Sequence, residues 1–326
     1  MAEINMVSAI TMALAHALQD DERVVVFGED VAKNGGVFRA TDGLLERFGP
    51  NRVMDTPLAE TVIAGMSIGM AAQGLRPVCE FQFMGFIYPA HDQLINQASR
   101  LRNRTRGRLS CPLVFRARMG AGIHAPEHHS ESTETLFAHI PGLRVVIPSS
   151  PSRAYGLLLS AIADPDPVMF FEPTRLYRAQ KEEVNDNGHG LPLDTCFVLR
   201  EGRDITLATW GPTVRETLAA AQTLAAEGIS AEVIDVATIS PIDFDTILTS
   251  VEKTGKLVII HEAPRNLGPG AEIAATVAER GLLSLHAPIE RVTAPDTVVP
   301  LRRPEKAYMP REMQVVDAAR RVVSFS

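Results

Sequence analysis

The sequence predicts an α/β protein built of two doubly wound domains. Three observations carry this: short apolar runs of the kind that form strands buried on both faces, segments of helical periodicity alternating with them, and one polar break that divides the 326 residues into a larger and a smaller part. The length allows two domains of ordinary size, each with its own core.

The first helix is expected over Met6 to Gln19, where Val7, Ile10, Leu14, Ala17 and Leu18 recur at helical spacing. Val24 to Phe27 is a continuous apolar run entering a loop at Gly28-Glu29-Asp30, the mark of a strand in a parallel sheet. Lys33 to Phe48 reads as a surface loop and a short helix. Val53 to Met54 ends a strand, Asp55-Thr56-Pro57 turns, and a helix opens at about Ala59 and closes at Gly74. Pro77 to Phe83 is the next strand, Pro89 to Arg104 a helix with a basic tail, and Pro112 to Arg118 a strand. Met119 to Thr135 is a long loop holding His124, His128 and His129, and long ordered loops in compact domains are usually functional. Leu143 to Ile147, Pro151 to Ala163 and Val168 to Phe171 complete the alternation as strand, helix and strand.

The pattern then dissolves into polar residues around Asn185-Asp186-Asn187-Gly188, which reads as an interdomain linker. Beyond it Ile205–Thr209, Thr213–Ala226, Ala231–Val236, Phe244–Lys253, Leu257–His261, Ala271–Glu279 and Ile289–Val292 alternate again. The expected domains are therefore 1–175 and 196–326, joined by 176–195.

Composition sets limits on function. Hydrophobic residues make up 45% and charged residues 22%, with no apolar segment of bilayer length, so a membrane role is not expected. The net charge of −7 argues against a general nucleic-acid binder, which carries a basic face. Cys79, Cys111 and Cys196 are far apart and lack metal-type spacing, so they read as buried small hydrophobes. The first residues lack the basic start and long apolar centre of a secretory signal, and a cytoplasmic location is expected. No G-x-G-x-x-G follows the first strand, which weakens a nucleotide-binding dehydrogenase reading. The spacing of His124, His128 and His129 could suggest a metal site, but none is expected because no acidic or cysteine partner completes it.

Two features of Val53 to Gly74 call for explanation. Glu60 falls near a helix N-terminus, where the helix dipole alone favours a carboxylate. Gly65 and Gly69 lie four apart on one face, each costing about 1 kcal/mol of helix propensity, which points to a need for close helix contact.

Glu60, four residues, Gly65, the apolar Met66, two residues and Gly69 form an E-x4-G-hydrophobic-x-x-G pattern. With EFQFMGFIYPAHDQ from Glu80, HHSES from His128, FFEPTRLYR from Phe170, EVIDVATISPID from Glu232 and HEAP from His261, in that order, the chain resembles the beta subunit of thiamine-diphosphate-dependent 2-oxo acid dehydrogenases. The resemblance spans most of the chain. It implies a pyrimidine-binding domain followed by a transketolase C-terminal-like domain that serves subunit association and complex docking.

The resemblance also implies site roles. Glu60 would hydrogen-bond the aminopyrimidine ring and exchange a proton with its nitrogen. Leu58 would make an apolar contact beside it, Gln82 would contact the pyrimidine, and Phe86 would stack where branched-chain members carry Tyr. His129 would be the second catalytic group, protonating intermediates or assisting acyl transfer to a lipoyl thiol. Cys111, Leu113, Val114, Ala161, Asp164 and Asp166 match the positions of a structural K⁺ site, although Asp164-Pro165-Asp166-Pro167 also reads as a simple turn.

The family's metal-diphosphate signature, Gly-Asp-Gly, does not occur here. Diphosphate and Mg²⁺ are then expected on an alpha subunit, in an α2β2 assembly that passes its acyl group to a lipoyl-bearing dihydrolipoyl acyltransferase core. Phe170-Phe171-Glu172-Pro173 with Leu176-Tyr177-Arg178 looks closer to the branched-chain type, while pyruvate and acetoin types stay open. A non-catalytic scaffold of the same fold is the competing reading, and the presence of both Glu60 and His129 argues against it. HEAP reads as structural or interfacial.

Overall fold

The computed structural model describes residues 2–325, which form two compact units. One holds residues up to Met119 together with Leu136–Leu193, and the other holds Gly120–Thr135 with the chain from Asp194 onward.

In the first unit β1 (Ala2–Asn5) leads into α1 (Met6–Asp20), capped by the Asn5 side chain, which accepts the Ser8 N–H at 3.0 Å. Then follow β2 (Val24–Gly28), α2 (Leu44–Phe48), β3 (Val53–Asp55), α3 (Glu60–Ala72), β4 (Arg76–Phe81), α4 (Leu101–Arg104) and β5 (Val114–Met119). They continue as α5 (Thr135–Ala138), β6 (Arg144–Val146), α6 (Pro151–Ala163), β7 (Val168–Pro173) and β8 (Lys181–Val184). The strands pair in parallel in the order β6-β7-β5-β4-β2-β3. Val24–Gly28 and Val114–Met119 are buried at every position, as a sheet covered on both faces requires. α1 and α6 pack against each other on this unit.

One expectation fails here. The helix foreseen over Pro89 to Arg104 is broken into a 3₁₀ turn at Tyr88–Ala90, a π-helical turn at Gln93–Ala98 and the short α4. A side chain competes with the regular ladder there, since the Ser99 hydroxyl donates to the Ile95 carbonyl at 2.7 Å. The stretch read as a linker is fastened to the first unit. β8 pairs antiparallel with β1, and Asp186 accepts the Tyr155 hydroxyl at 2.7 Å and meets His16 Nδ1 at 2.9 Å. Residues 176–193 therefore belong to the first unit.

The second unit contains β9 (Phe197–Arg200), β10 (Ile205–Thr209), α7 (Val214–Ala226), β11 (Ala231–Asp235), β12 (Thr238–Ser240), α8 (Phe244–Thr254), β13 (Leu257–Pro264), α9 (Pro269–Arg280), β14 (Glu290–Ala294), α10 (Glu305–Tyr308) and α11 (Glu312–Val323). Its sheet runs β14-β13-β10-β11-β9, parallel except for the edge strand β9. Ile205, Leu207, Val233, Val258 and Ile260 from the strands meet Ala220 and Leu224 of α7 and Val315, Ala319 and Val322 of α11 in one core. α11 lies beyond the last strand foreseen from sequence. The histidine loop at 120–135, which the sequence assigns to the first domain, is part of this unit.

Candidate active site

In the first unit, three neighbouring strands release their chains at the same, carboxyl-terminal edge of the sheet. β3 leads through a turn to Glu60, β2 to Glu29 and β4 to Gln82 and Phe86. Ligands collect at such edges in parallel sheets. The turn before α3 is held by Asp55, whose carboxylate accepts the Ala32 N–H at 2.7 Å, and by the Thr56 N–H donating to the Gly28 carbonyl at 2.9 Å. Glu60 is the first residue of α3 and is half-buried. Its neighbour Glu29 is pushed above the usual carboxylate range, first by burial and then by the like charges of Asp30 and Glu60.

α3 runs beside the segment that carries the aromatic. The Thr61 hydroxyl donates to the Pro89 carbonyl at 2.8 Å, and a Cβ on Gly65 would approach only the Gln93 side chain, at 3.7 Å. Gln82 and Phe86 are half-buried, and the Phe86 ring meets Phe83 edge-on at 5.8 Å. Leu58 is exposed, as are Val62 and Met66, so with Gly65 and Gly69 they make one apolar, side-chain-poor face.

Beneath this edge lies a group of buried charges that the sequence reading missed. Arg116 contacts Glu172 at 2.6 Å and Glu80 at 3.1 Å, Arg118 contacts Glu80 at 3.1 Å, and the Tyr177 hydroxyl donates to Glu172. Burial alone would raise Glu80, but Arg118 and Arg116 outweigh it and hold its carboxyl below the usual range. Arg118 also lies over the faces of Phe38, at 4.6 Å, and Phe83, at 5.3 Å. Phe83 in turn supports Phe86. The available signal was two arginines inside an otherwise apolar strand, Val114–Met119.

In the second unit, His128 and His129 occupy a 3₁₀ turn, Glu127–His129, with their rings 4.2 Å apart. Burial, then repulsion from His128, lowers the His129 pKa, so the imidazole is neutral near physiological pH. At the end of the same loop Glu134 is fully buried and accepts the Trp210 indole N–H at 3.1 Å. Trp210 stacks on His261 at 4.9 Å. Burial drives His261 down to about 3 and Glu134 up to about 7, the latter aided by the charge of Glu262.

The residues marked for a monovalent cation fall in two stretches that fold together, since the Cys111 N–H donates to the Pro165 carbonyl at 3.0 Å. The carbonyls of Cys111 and Leu113 accept the N–H groups of Leu113 and Val168, Val114 starts β5, and Ala161 lies in the last turn of α6. Each carbonyl keeps a second lone pair, and this oxygen-rich set suits a hard cation. Asp164 is the weakest member: its carboxylate already takes the Asp166 N–H at 2.8 Å and Arg144 at 2.9 Å, and its carbonyl takes Arg76 at 3.2 Å. Asp166 pairs with Arg102 at 2.6 Å. The described residues contain no cluster of three or more His, Cys, Asp or Glu able to hold a metal, and no helix long and apolar enough to cross a membrane. All three cysteines are free and buried, as expected.

Comparison with known proteins divides the chain in sequence order, with residues 120–135 inside the first match. The transketolase pyrimidine-binding domain matches residues 2–180 and the transketolase C-terminal domain residues 194–315. The chain is 48% identical to the pyruvate dehydrogenase E1 component subunit beta of Bacillus subtilis over the full length of both. It is 48% identical to that of Acholeplasma laidlawii over 99% of this chain and 98% of the relative, and 47% identical to that of Staphylococcus epidermidis over both full lengths. Among solved structures, a split-gene transketolase described as an inactive beta4 tetramer superposes with a TM-score of 0.81 over 99% of each chain at 23% identity, a likeness of fold.

Proposed function

The chain belongs to the thiamine-diphosphate-dependent, transketolase-like family, among the beta subunits of 2-oxo acid dehydrogenases, and on that footing we propose that it is the β subunit of a pyruvate dehydrogenase E1 component. It would act in the cytoplasm with an alpha subunit, as α2β2, decarboxylating its 2-oxo acid and passing the acyl group to lipoyl-lysine of a dihydrolipoyl acyltransferase core. The observation that carries the reading is the gathering of Glu60, Gln82 and Phe86 at the carboxyl-terminal edge of one parallel sheet.

Thiamine diphosphate supplies a nucleophilic carbon and an electron sink. Glu60, half-buried at a helix N-terminus, would hold and return a proton at the pyrimidine nitrogen. Phe86, braced by Phe83 over Arg118, would offer a flat apolar face to the ring, and Gln82 would offer it amide hydrogen bonds. Leu58 would close the apolar side. His129, neutral at physiological pH, would accept a proton or deliver one during acyl transfer. Mg²⁺ and the diphosphate fall to the alpha subunit, and K⁺ to the carbonyls around Cys111, Leu113, Val114 and Ala161, flanked by Asp164 and Asp166.

Pyruvate is preferred over a branched-chain acid for two reasons. The relatives above carry the pyruvate name. The Phe170 to Tyr177 stretch that suggests the branched-chain type is mostly buried, with Glu172 and Tyr177 bonded to each other, so holding the fold accounts for it. Acetoin remains the other substrate to compare.

The test is Glu60→Ala in the co-purified complex. Decarboxylation should fall roughly 10²- to 10⁴-fold while the complex elutes at its native size. Full activity would remove Glu60 from the proposed role.

A further inference from the structure

The loop that carries His128 and His129 is bonded to two carboxylates, Glu262 and Glu305, that stand far from it in sequence. Glu262, in the HEAP segment of β13, is 2% exposed, and its Oε1 accepts the Ala121 N–H at 2.6 Å and the Ser132 hydroxyl at 3.2 Å. Glu305, at the start of α10, is 1% exposed. Its Oε1 accepts the Gly122 N–H at 2.6 Å, both its oxygens lie within reach of the His124 N–H, and its Oε2 meets His124 Nδ1. The two acids thus hold the loop before the histidine turn at Ala121, Gly122 and His124, and after it at Ser132.

The loop is shaped to receive them. Gly120 has φ of +91°, and a Cβ there would come within 2.9 Å of Glu262 Oε1, so only glycine lets the carboxylate approach the chain so closely. His124 sits at φ of +60°, a conformation that a non-glycine residue adopts at a cost and that the bonds from Glu305 offset. Burying two carboxylates is itself costly unless their oxygens are well satisfied, and apolar side chains would cover a passive loop more cheaply. Charge-assisted bonds to backbone N–H groups are short and directional. They fix where a chain runs, which apolar packing does less sharply.

We propose that Glu262 and Glu305 are positioning residues that clamp the loop on both sides of its turn, so that His129 is presented in one fixed orientation to the reacting group. This rests on the catalytic reading of His129 given above. The clamp acts on the proton-transfer step and leaves binding of the 2-oxo acid unchanged. HEAP is then the anchor of a catalytic loop.

The experiment uses the assembled α and β complex carrying Glu262→Gln, Glu305→Gln, His129→Ala and each glutamine variant combined with His129→Ala. Each glutamine variant alone should lower kcat for acyl transfer to lipoyl about tenfold or more with KM for the 2-oxo acid unchanged, and should speed amide exchange across 120–135. Neither should cost anything further once His129 is alanine, because residues acting through one group are not additive. Losses that add in full to that of His129→Ala, or an unchanged kcat, would overturn the clamp while leaving His129 in its role. Full activity of His129→Ala alone would overturn the reading on which the clamp rests, an outcome that needs no clamp variant. If a glutamine variant fails to assemble, Glu262→Asp and Glu305→Asp keep the charge, shorten the reach and are judged by the same comparisons.

Discussion

Arg116 Nε and Glu172 Oε1 meet at 2.6 Å between adjacent strands, with both side chains only 1% exposed. The pairing follows from register. Arg116 stands opposite Phe170 on β7 and beside Glu80 on β4, so its guanidinium reaches a carboxylate on either side. The strain of four buried charges is relieved only while all are present, since a lone buried charge has no solvent to turn to.

Arg116→Met should therefore destabilise the protein by about 3–5 kcal/mol in urea unfolding, because it leaves Glu172 without a cation and Glu80 with Arg118 alone. Adding Glu172→Leu should recover part of that loss. Glu80, whose carboxyl is held below its usual range, contributes stability that is complete above that range and is lost as pH falls through the lowered value. An Arg116→Met variant as stable as the wild type would mean the network is idle.

Glu134 behaves in the opposite sense. Burial raises it to about 7, so between the ordinary glutamate value and about 7 the folded chain keeps a proton that the unfolded chain has lost. Its contribution is whole at acid pH and fades as pH rises to neutrality. Glu134→Gln should match the wild type at low pH and exceed it in Tm above neutrality, flattening the pH profile. Parallel curves for the two proteins would show that Glu134 holds no more proton folded than unfolded.

The glycine face of α3 is bare within the chain, since a Cβ on Gly69 would meet nothing within 4 Å and one on Gly65 only Gln93. Gly65→Leu should accordingly fold normally and fail to assemble with its partner subunit, a loss visible by light scattering. An unchanged oligomer would show that the face meets no partner helix.

Much of the fold was legible because its signals are local. Pro151 at the first helical position after the Ser150 cap fixes α6 at the expected residues, and the run at Val24–Phe27 is apolar enough to be a buried strand. β8 was not legible. Lys181–Val184 is polar, and only its pairing with Ala2–Asn5 makes it a strand. Phe86 and Glu60 stand in short motifs that can be read singly. Arg116 could be read as a charge in a strand, but its partners depend on strand order. The supports of the histidine loop lie 141 residues from Ala121, at Glu262, and 183 from Gly122, at Glu305, with no spacing rule to connect them.

The proposed active site is split between two subunits and works on pyruvate. It is tested by thiamine-diphosphate- and Mg²⁺-dependent turnover, by this chain alone and co-purified with its alpha subunit, followed as decarboxylation for pyruvate and branched-chain 2-oxo acids and as carbon–carbon cleavage for acetoin. The chain alone should be silent and the complex should turn over, fastest with pyruvate. Turnover by the isolated chain, or an intact complex inert towards all three, would contradict it.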